Sequence, residues 1–255
     1  MRRSSSPALA ALALLCCALP TTAQDLVRLE LVDRDQGQVL TEYRHRGTGW
    51  VAGTPGHRYA VRLTNTTGAR VLAVLSVDGV NAVSGETAAP GQAGYVLGPW
   101  ESAEIGGWRK SLDRIAQFVF TDLPDSYATR TGRPDDVGVV GVAVFRERQR
   151  PLVPPPPPPM APALQRGAPA AEAGRADRAM AATPLGTGHG ASEWAPVGQT
   201  RFERASRQPD QVTSLRYDRW DTLVALGVVP RARRWDRTRH PQAFPGGFVP
   251  DPPRR

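Results

Sequence analysis

The chain predicts an all-β fold. The expected architecture is an antiparallel β-sandwich, jelly-roll or immunoglobulin-like, with a disordered proline-rich linker and a small docked C-terminal strand–helix segment. Three observations predict it. Short runs alternate apolar and polar residues with period two, as in His57-Arg58-Tyr59-Ala60-Val61-Arg62-Leu63, which puts Tyr59, Val61 and Leu63 on one face. Turn residues recur about every 8–12 positions, the spacing of sandwiches rather than of βαβ units. Composition then changes at Arg150, where a charge-balanced segment gives way to a basic, proline-rich one.

Element by element, Leu26–Val32 is apolar with charges interspersed and reads as a strand. Thr64-Asn65-Thr66-Thr67-Gly68 is turn chemistry, and Arg70–Val77 is a strongly apolar strand closed by the turn Asp78-Gly79. Ala93–Leu97, Ala103–Gly107, Ile115–Thr121 and Val137–Phe145 are further strands, and only Asp125–Arg130 invites a short helix. Val137–Phe145 is apolar on both faces, which predicts a central strand. Pro154–Pro159 is an unbroken proline run that suits polyproline II and neither sheet nor helix. Ala, Gly and Arg without apolar period predict disorder to about Thr183. Gln211–Tyr217 reads as a strand. Asp218 is placed to cap a helix through Leu226 that buries Trp220, Leu223 and Val224 and ends at Gly227. That segment is too small to fold alone, so it is expected to dock on the sandwich or extend its edge.

The N-terminus reads as an export signal over residues 1–23. Arg2 and Arg3 precede an apolar run from Ala8 to Leu19, shorter than a bilayer span, and Thr21 and Ala23 are small residues suited to cleavage before Gln24. The expected location is the periplasm or cell envelope of a Gram-negative bacterium, or full secretion. Cys16 and Cys17 both lie inside the signal, so the mature domain is expected to fold without a disulfide. A lipid-anchored cysteine is the alternative, but neither Leu15 nor Cys16 is the small residue that should precede it.

The expected domains are therefore the signal (1–23), the sandwich (24–150), a Pro/Ala/Gly-rich linker (151–200), the strand–helix segment (201–230) and a basic flexible tail (231–255). Residues 24–150 carry no net charge, whereas residues 151–255 are net +6 and hold 18 of the 25 prolines. Lys110 is the only lysine.

Chemistry-bearing patterns are sparse. His45, His57, His189 and His240 are scattered without a second ligand at helical spacing, so no metal site or cofactor is expected. Asp33-Arg34-Asp35-Gln36-Gly37 matches only the start of a calcium loop and reads as a turn. No Gly-x-Ser-x-Gly or Ser-x-x-Lys motif occurs. Gly186-Thr187-Gly188-His189-Gly190 lacks the residues that hold phosphate and reads as a flexible turn. Asp122, Asp125, Asp135 and Asp136 are ordinary turn material among Pro124, Gly132 and Pro134.

The sharper signal is Arg231, Arg233, Arg234, Arg237 and Arg239 around Trp235, within a final 25 residues of net charge +5. Guanidinium groups grip phosphates and an indole sits at headgroup level, so anionic envelope components such as lipopolysaccharide or phospholipid headgroups are the expected contact, or an envelope protein. The expected role is a non-enzymatic scaffold or binding protein. The alternative is a carbohydrate-binding module or hydrolase with its site at Trp100, Trp108, Arg109 and Lys110.

The blocks Gly94-Tyr95-Val96-Leu97, Gly107-Trp108-Arg109-Lys110-Ser111, Ser126-Tyr127-Ala128, Thr131-Gly132-Arg133-Pro134 and Val137–Phe145 resemble a group of uncharacterised exported proteins of Gram-negative bacteria. Ser76–Asn81, Gly186–Gly190, Phe202–Ser206 and Phe244–Pro252 extend the likeness, and Ala191-Ser192-Glu193-Trp194 departs from it. The resemblance implies export and one architecture, and brings no activity with it.

Overall fold

Two seven-stranded sheets pack face to face in the computed structural model, which describes residues 25–149 and 184–230. In chain order the strands are β1 (Val27–Asp33), β2 (Gln38–Val39), β3 (Glu42–His45), β4 (Thr48–Gly53), β5 (Arg58–Asn65), β6 (Val71–Val77), β7 (Val80–Asn81), β8 (Tyr95–Leu97), β9 (Ser102–Ile105), β10 (Gly107–Arg109) and β11 (Arg114–Asp122). The short helix α1 (Tyr127–Arg130) follows, then β12 (Val139–Arg146), β13 (Leu185–Trp194), β14 (Gln211–Arg219) and the helix α2 (Trp220–Ala225). The first sheet joins β2, β1, β5, β11 and β13, with β9 pairing β5 and β10 pairing β11. The second runs β3-β4-β14-β12-β6-β7, with β8 also pairing β6. The all-β sandwich expected from the alternation is what forms. One pairing, β14 with β4, is parallel.

The core lies where the inner faces meet. Val27, Leu29 and Leu31 of β1 face it, as do Tyr59, Val61 and Leu63 of β5 and Val140, Val142 and Val144 of β12. Tyr59 stacks on Phe118 and Phe120 at 5.4 and 4.2 Å between ring centroids, and Trp108 meets Phe118 edge-on at 4.7 Å. The double-sided apolarity of β12 has a second cause. Its outer face buries Ala143 and Phe145 with Leu72 and Val74, and the loop at Phe202 and Arg204 covers that patch, with the Arg204 guanidinium 4.5 Å above the Phe145 ring.

The domain limits need correction. The reading of 151–200 as linker extends too far, because Leu185–Trp194 is a ten-residue strand paired along β11. Gly186, Gly188 and Gly190 are not flexible turn residues. A Cβ at Gly186 would lie 2.7 Å from the Ser126 side chain, and one at Gly190 the same distance from that of Val119. Arg34 anchors this strand to the β1–β2 turn through two 2.8 Å bonds to Glu193, and holds that carboxyl below the usual range. Nor does the 201–230 segment decorate an edge. β14 lies between β4 and β12, inside the second sheet. The cap of α2 is Arg219 rather than Asp218, whose carboxylate accepts from the backbone N–H of Arg219 and Leu185. Leu223 is buried under α2, but Trp220 is exposed and meets only the edge of Tyr43. Gly227 ends the helix with a φ of 71°. The proline run and the basic tail lie outside the described residues.

Candidate functional site

The first sheet and the free edge of the second diverge around a cavity of about 920 Å³. That is the size of a small-molecule or peptide site. One wall is the segment from Ala93 through β8 to Leu97. A second is the β10–β11 turn, Arg109 to Leu112. The third is Val197–Thr200, and Val83, Ser84, Glu101 and Ala103 complete the lining.

Local sequence builds each wall. β8 presses so closely on β6 that a Cβ at Gly94 would lie 2.4 Å from the Ala73 carbonyl, so glycine is required where the strand begins. In β10, alternation sends Trp108 into the core and Arg109 to the cavity. Ser111 Oγ accepts the N–H groups of Asp113 and Arg114 and so shapes the turn that carries Lys110. The third wall is a strap tied down along its length. The Arg109 guanidinium donates to the Ala195 carbonyl, and Val197 N–H to the Leu112 carbonyl. Arg70 donates to Thr200 Oγ1 and the Arg201 carbonyl, and Arg204 to the carbonyls of Gly91 and Gln92.

Two polar atoms in this lining are buried without a hydrogen bond, the Tyr95 hydroxyl and Arg109 Nε. They are neighbours, and the Arg109 guanidinium pulls the phenol's pKa down, first by a hydrogen-bonding contact and then by its charge. Burial is the larger influence and lifts the phenol above its ordinary value. Charge is distributed unevenly along the cleft. Arg109, whose N–H bonds the Ala82 carbonyl, and Lys110 lie toward Val83 and Tyr95, whereas Glu101 sits at the far end, where its carboxylate accepts the Gly98 N–H at 2.6 Å.

Of the residues expected to form a site on the sandwich, the structure brings Arg109 and Lys110 together here and separates the tryptophans from them. Trp108 is 3 % exposed and packs on Phe118 and Tyr127. Trp100 is 67 % exposed with a φ of 61°, but does not line the cleft. Neither ring offers a platform for a sugar beside Lys110. Arg231, Arg233, Arg234, Trp235, Arg237 and Arg239 lie outside the described residues. Tyr95, Glu101 and the 197–200 strap also line the cleft, and none of them carries a motif in the sequence. Gly94-Tyr95 was legible as part of a strand, but what faces its free edge depends on pairings more than a hundred residues away in sequence.

Two other polar clusters have structural explanations. Asp33, Asp35 and His57 bring three ligand-type atoms within 4.8 Å of one another. Each of the four carboxylate oxygens already has a partner. Asp33 accepts the N–H groups of Asp35 and Gln36 and contacts His57 Nδ1 at 2.7 Å, and Asp35 accepts from the Arg58 backbone and guanidinium. The second cluster centres on Asp78. Its Oδ1 accepts Gly138 N–H at 2.9 Å and Tyr217 O–H at 2.6 Å, and its Oδ2 accepts Thr187 N–H at 2.7 Å. Thr187 Oγ1 in turn lies 2.6 Å from the Tyr217 and 2.5 Å from the Tyr59 hydroxyl. Burial raises the Asp78 carboxyl to about 6 against these favourable contacts. This network joins both sheets, and Gly138 and Tyr217 of it also line a smaller cavity of about 260 Å³.

Comparison with family models, curated proteins and solved structures gives no match. The cleft's chemistry must be read from its own residues. Among the described residues no His or Asp lines it, and its three hydroxyls each accept a hydrogen bond, Ser84 from the Glu86 N–H, Ser111 from those of Asp113 and Arg114, and Thr200 from Arg70. The lining offers two cations, the Glu101 carboxylate, a phenol, an amide from Gln199 and apolar walls from Val83, Leu97, Leu112 and Val197. Among the described residues no helix is long and apolar enough to cross a membrane.

Proposed function

We propose that this protein is an exported, non-enzymatic binding protein of the cell envelope, and that its sandwich takes an anionic ligand in the cleft between β8, the β10–β11 turn and the 197–200 strap. The observation that carries the reading is that Arg109 and the only lysine of the chain line one end of the cleft, while Glu101, the one acid of the described lining, stands at the other. Apolar residues on the same walls favour a ligand with an apolar body behind its charge. The test is calorimetric titration of the full mature chain with glutarate and with inorganic phosphate, repeated on Lys110→Glu. Saturable binding that weakens about tenfold in the variant is expected, since reversing one charge near a shared anion is worth on the order of 1–2 kcal/mol. Absence of binding by both anions, or equal binding by both proteins, overturns the reading.

A separate observation supports a second contact. The final 25 residues carry +5 while residues 24–150 are neutral. We infer that Arg231–Arg239 with Trp235 hold the protein against anionic envelope surface, each arginine contributing on the order of 1 kcal/mol near such a bilayer. The intact mature chain should co-sediment with anionic vesicles at low salt and be released as the Debye length falls to about 8 Å near physiological ionic strength, whereas a chain ending at Pro230 should stay in the supernatant throughout. Equal sedimentation of both forms sinks this part of the proposal.

A further inference from the structure

We propose that the ligand of the cleft is an extended acidic peptide segment of a partner protein, added as an antiparallel strand to the free edge of β8. The inference rests on the reading of the cleft as the binding site. β8 pairs with β6 on one side only, through Tyr95, Val96 and Leu97, and its other side forms a wall of the cleft. An edge strand presents unpaired N–H and C=O groups, and proteins ordinarily cover or blunt such an edge. Here the strap that could have paired with it stands off across the cavity. Gly198, Gln199 and Thr200 are exposed, and among the described residues their N–H groups donate to no backbone carbonyl. The two walls are therefore both backbone-rich, and the three residues Tyr95–Leu97 of β8 offer about 10 Å of length at the rise of a strand.

The charge gradient sets direction. Arg109, Lys110 and the Tyr95 hydroxyl stand where β8 begins, and Glu101 where it ends. A peptide whose acidic C-terminus lies at the Arg109 end runs from Glu101 toward Tyr95, opposite to β8. Antiparallel addition is also the more favourable pairing. The apolar side chains of Val83, Leu112 and Val197 receive alternate side chains of the added strand, the usual source of specificity when main-chain bonds supply affinity.

The test uses the full mature chain and the probe acetyl-Thr-Val-Thr-Val-Asp with a free C-terminus. Calorimetry is run in parallel with the same peptide N-methylated at alternate amides, in both registers, and with glutarate. N-methylation removes the donors that extend a sheet and leaves charge and side chains intact. The expected result is micromolar binding of the unmodified peptide, about tenfold or more weakening by methylation in one register only, and weakening by Lys110→Glu. Amide chemical shifts of Ala93–Leu97 should move on binding. If the methylated peptides bind as well as the parent, or glutarate binds as tightly, strand addition is overturned while the anion cleft stands. If neither peptide nor glutarate binds, both readings fall.

Discussion

A chain truncated after Arg150 should not fold, although it contains every residue that the sequence assigns to the sandwich. The reason is topological. β14 occupies the interior of the second sheet between β4 and β12, so its loss leaves two facing rows of unpaired backbone groups in the middle of a sheet rather than at an edge. β13 covers β11 along most of its length. The lost segments also carry Leu185, Leu215, Tyr217, Leu223, Val228 and Val229, all buried. At about 1.5–3 kcal/mol per fully buried large apolar side chain, those six alone contribute on the order of 10 kcal/mol. That matches or exceeds the roughly 5–15 kcal/mol net stability of a typical domain. Circular dichroism and urea titration of the 24–150 fragment should show no cooperative transition. The companion experiment separates folding from covalent continuity. Trypsin acting on the intact protein between Arg166 and Arg178 should leave two fragments that co-elute on gel filtration and part only in denaturant. A cooperatively folded 24–150 fragment would mean that the late strands merely dress a self-sufficient core.

Local pattern carried the fold class, and it fell short where contacts are long-range. β1, β5, β6, β11 and β12 alternate or run apolar for reasons intrinsic to each strand, so their positions could be read directly. β13 could not. Three of its first six residues are glycine, and a glycine-rich run looks like a turn until α1 and β11 are known to press against it. β14 was recognised as a strand, but nothing in Gln211–Tyr217 says that two strands elsewhere leave a space its width between them. The same limit governs the site. Arg109 and Lys110 stood out by type, and Trp108 stood out with them, yet alternation along a three-residue strand puts Trp108 and Arg109 on opposite faces. Tyr95 and the strap became visible only once the β8 edge was located.

Replacing Asp78 should reveal how the late strands are held, and its effect should depend on pH with a definite sign. In Asp78→Ala the N–H groups of Gly138 and Thr187 and the Tyr217 hydroxyl lose their acceptor. At about 1–3 kcal/mol for each orphaned buried donor, the gross penalty is roughly 3–9 kcal/mol. Against it stands relief from burying the carboxylate. The carboxyl's pKa rises from 3.8 to about 6 in the fold, so holding it ionised at neutral pH costs about 3 kcal/mol. The orphaned donors outweigh that relief, and a net loss of about 3 kcal/mol is expected at pH 7, with β13 and β14 exchanging amide protons fastest. The wild-type chain has the opposite of the usual carboxylate behaviour at this position. Because the folded state holds the proton more tightly than the unfolded state, stability present below about pH 4 is lost as pH rises through about 6. Asp78→Asn cannot ionise, so its stability should lack this component, and the difference between wild type and variant should change by up to about 3 kcal/mol between pH 4 and 7. Taking the difference removes the contribution of Asp218, which burial also raises, and those of Asp35 and Glu193, which arginines lower. Urea midpoints measured at half-unit steps across that range decide the matter. Parallel curves for the two proteins would show that Asp78 titrates as it would in water, with the hydrogen bonds it accepts from Tyr217, Thr187 and Gly138 offsetting its burial in full.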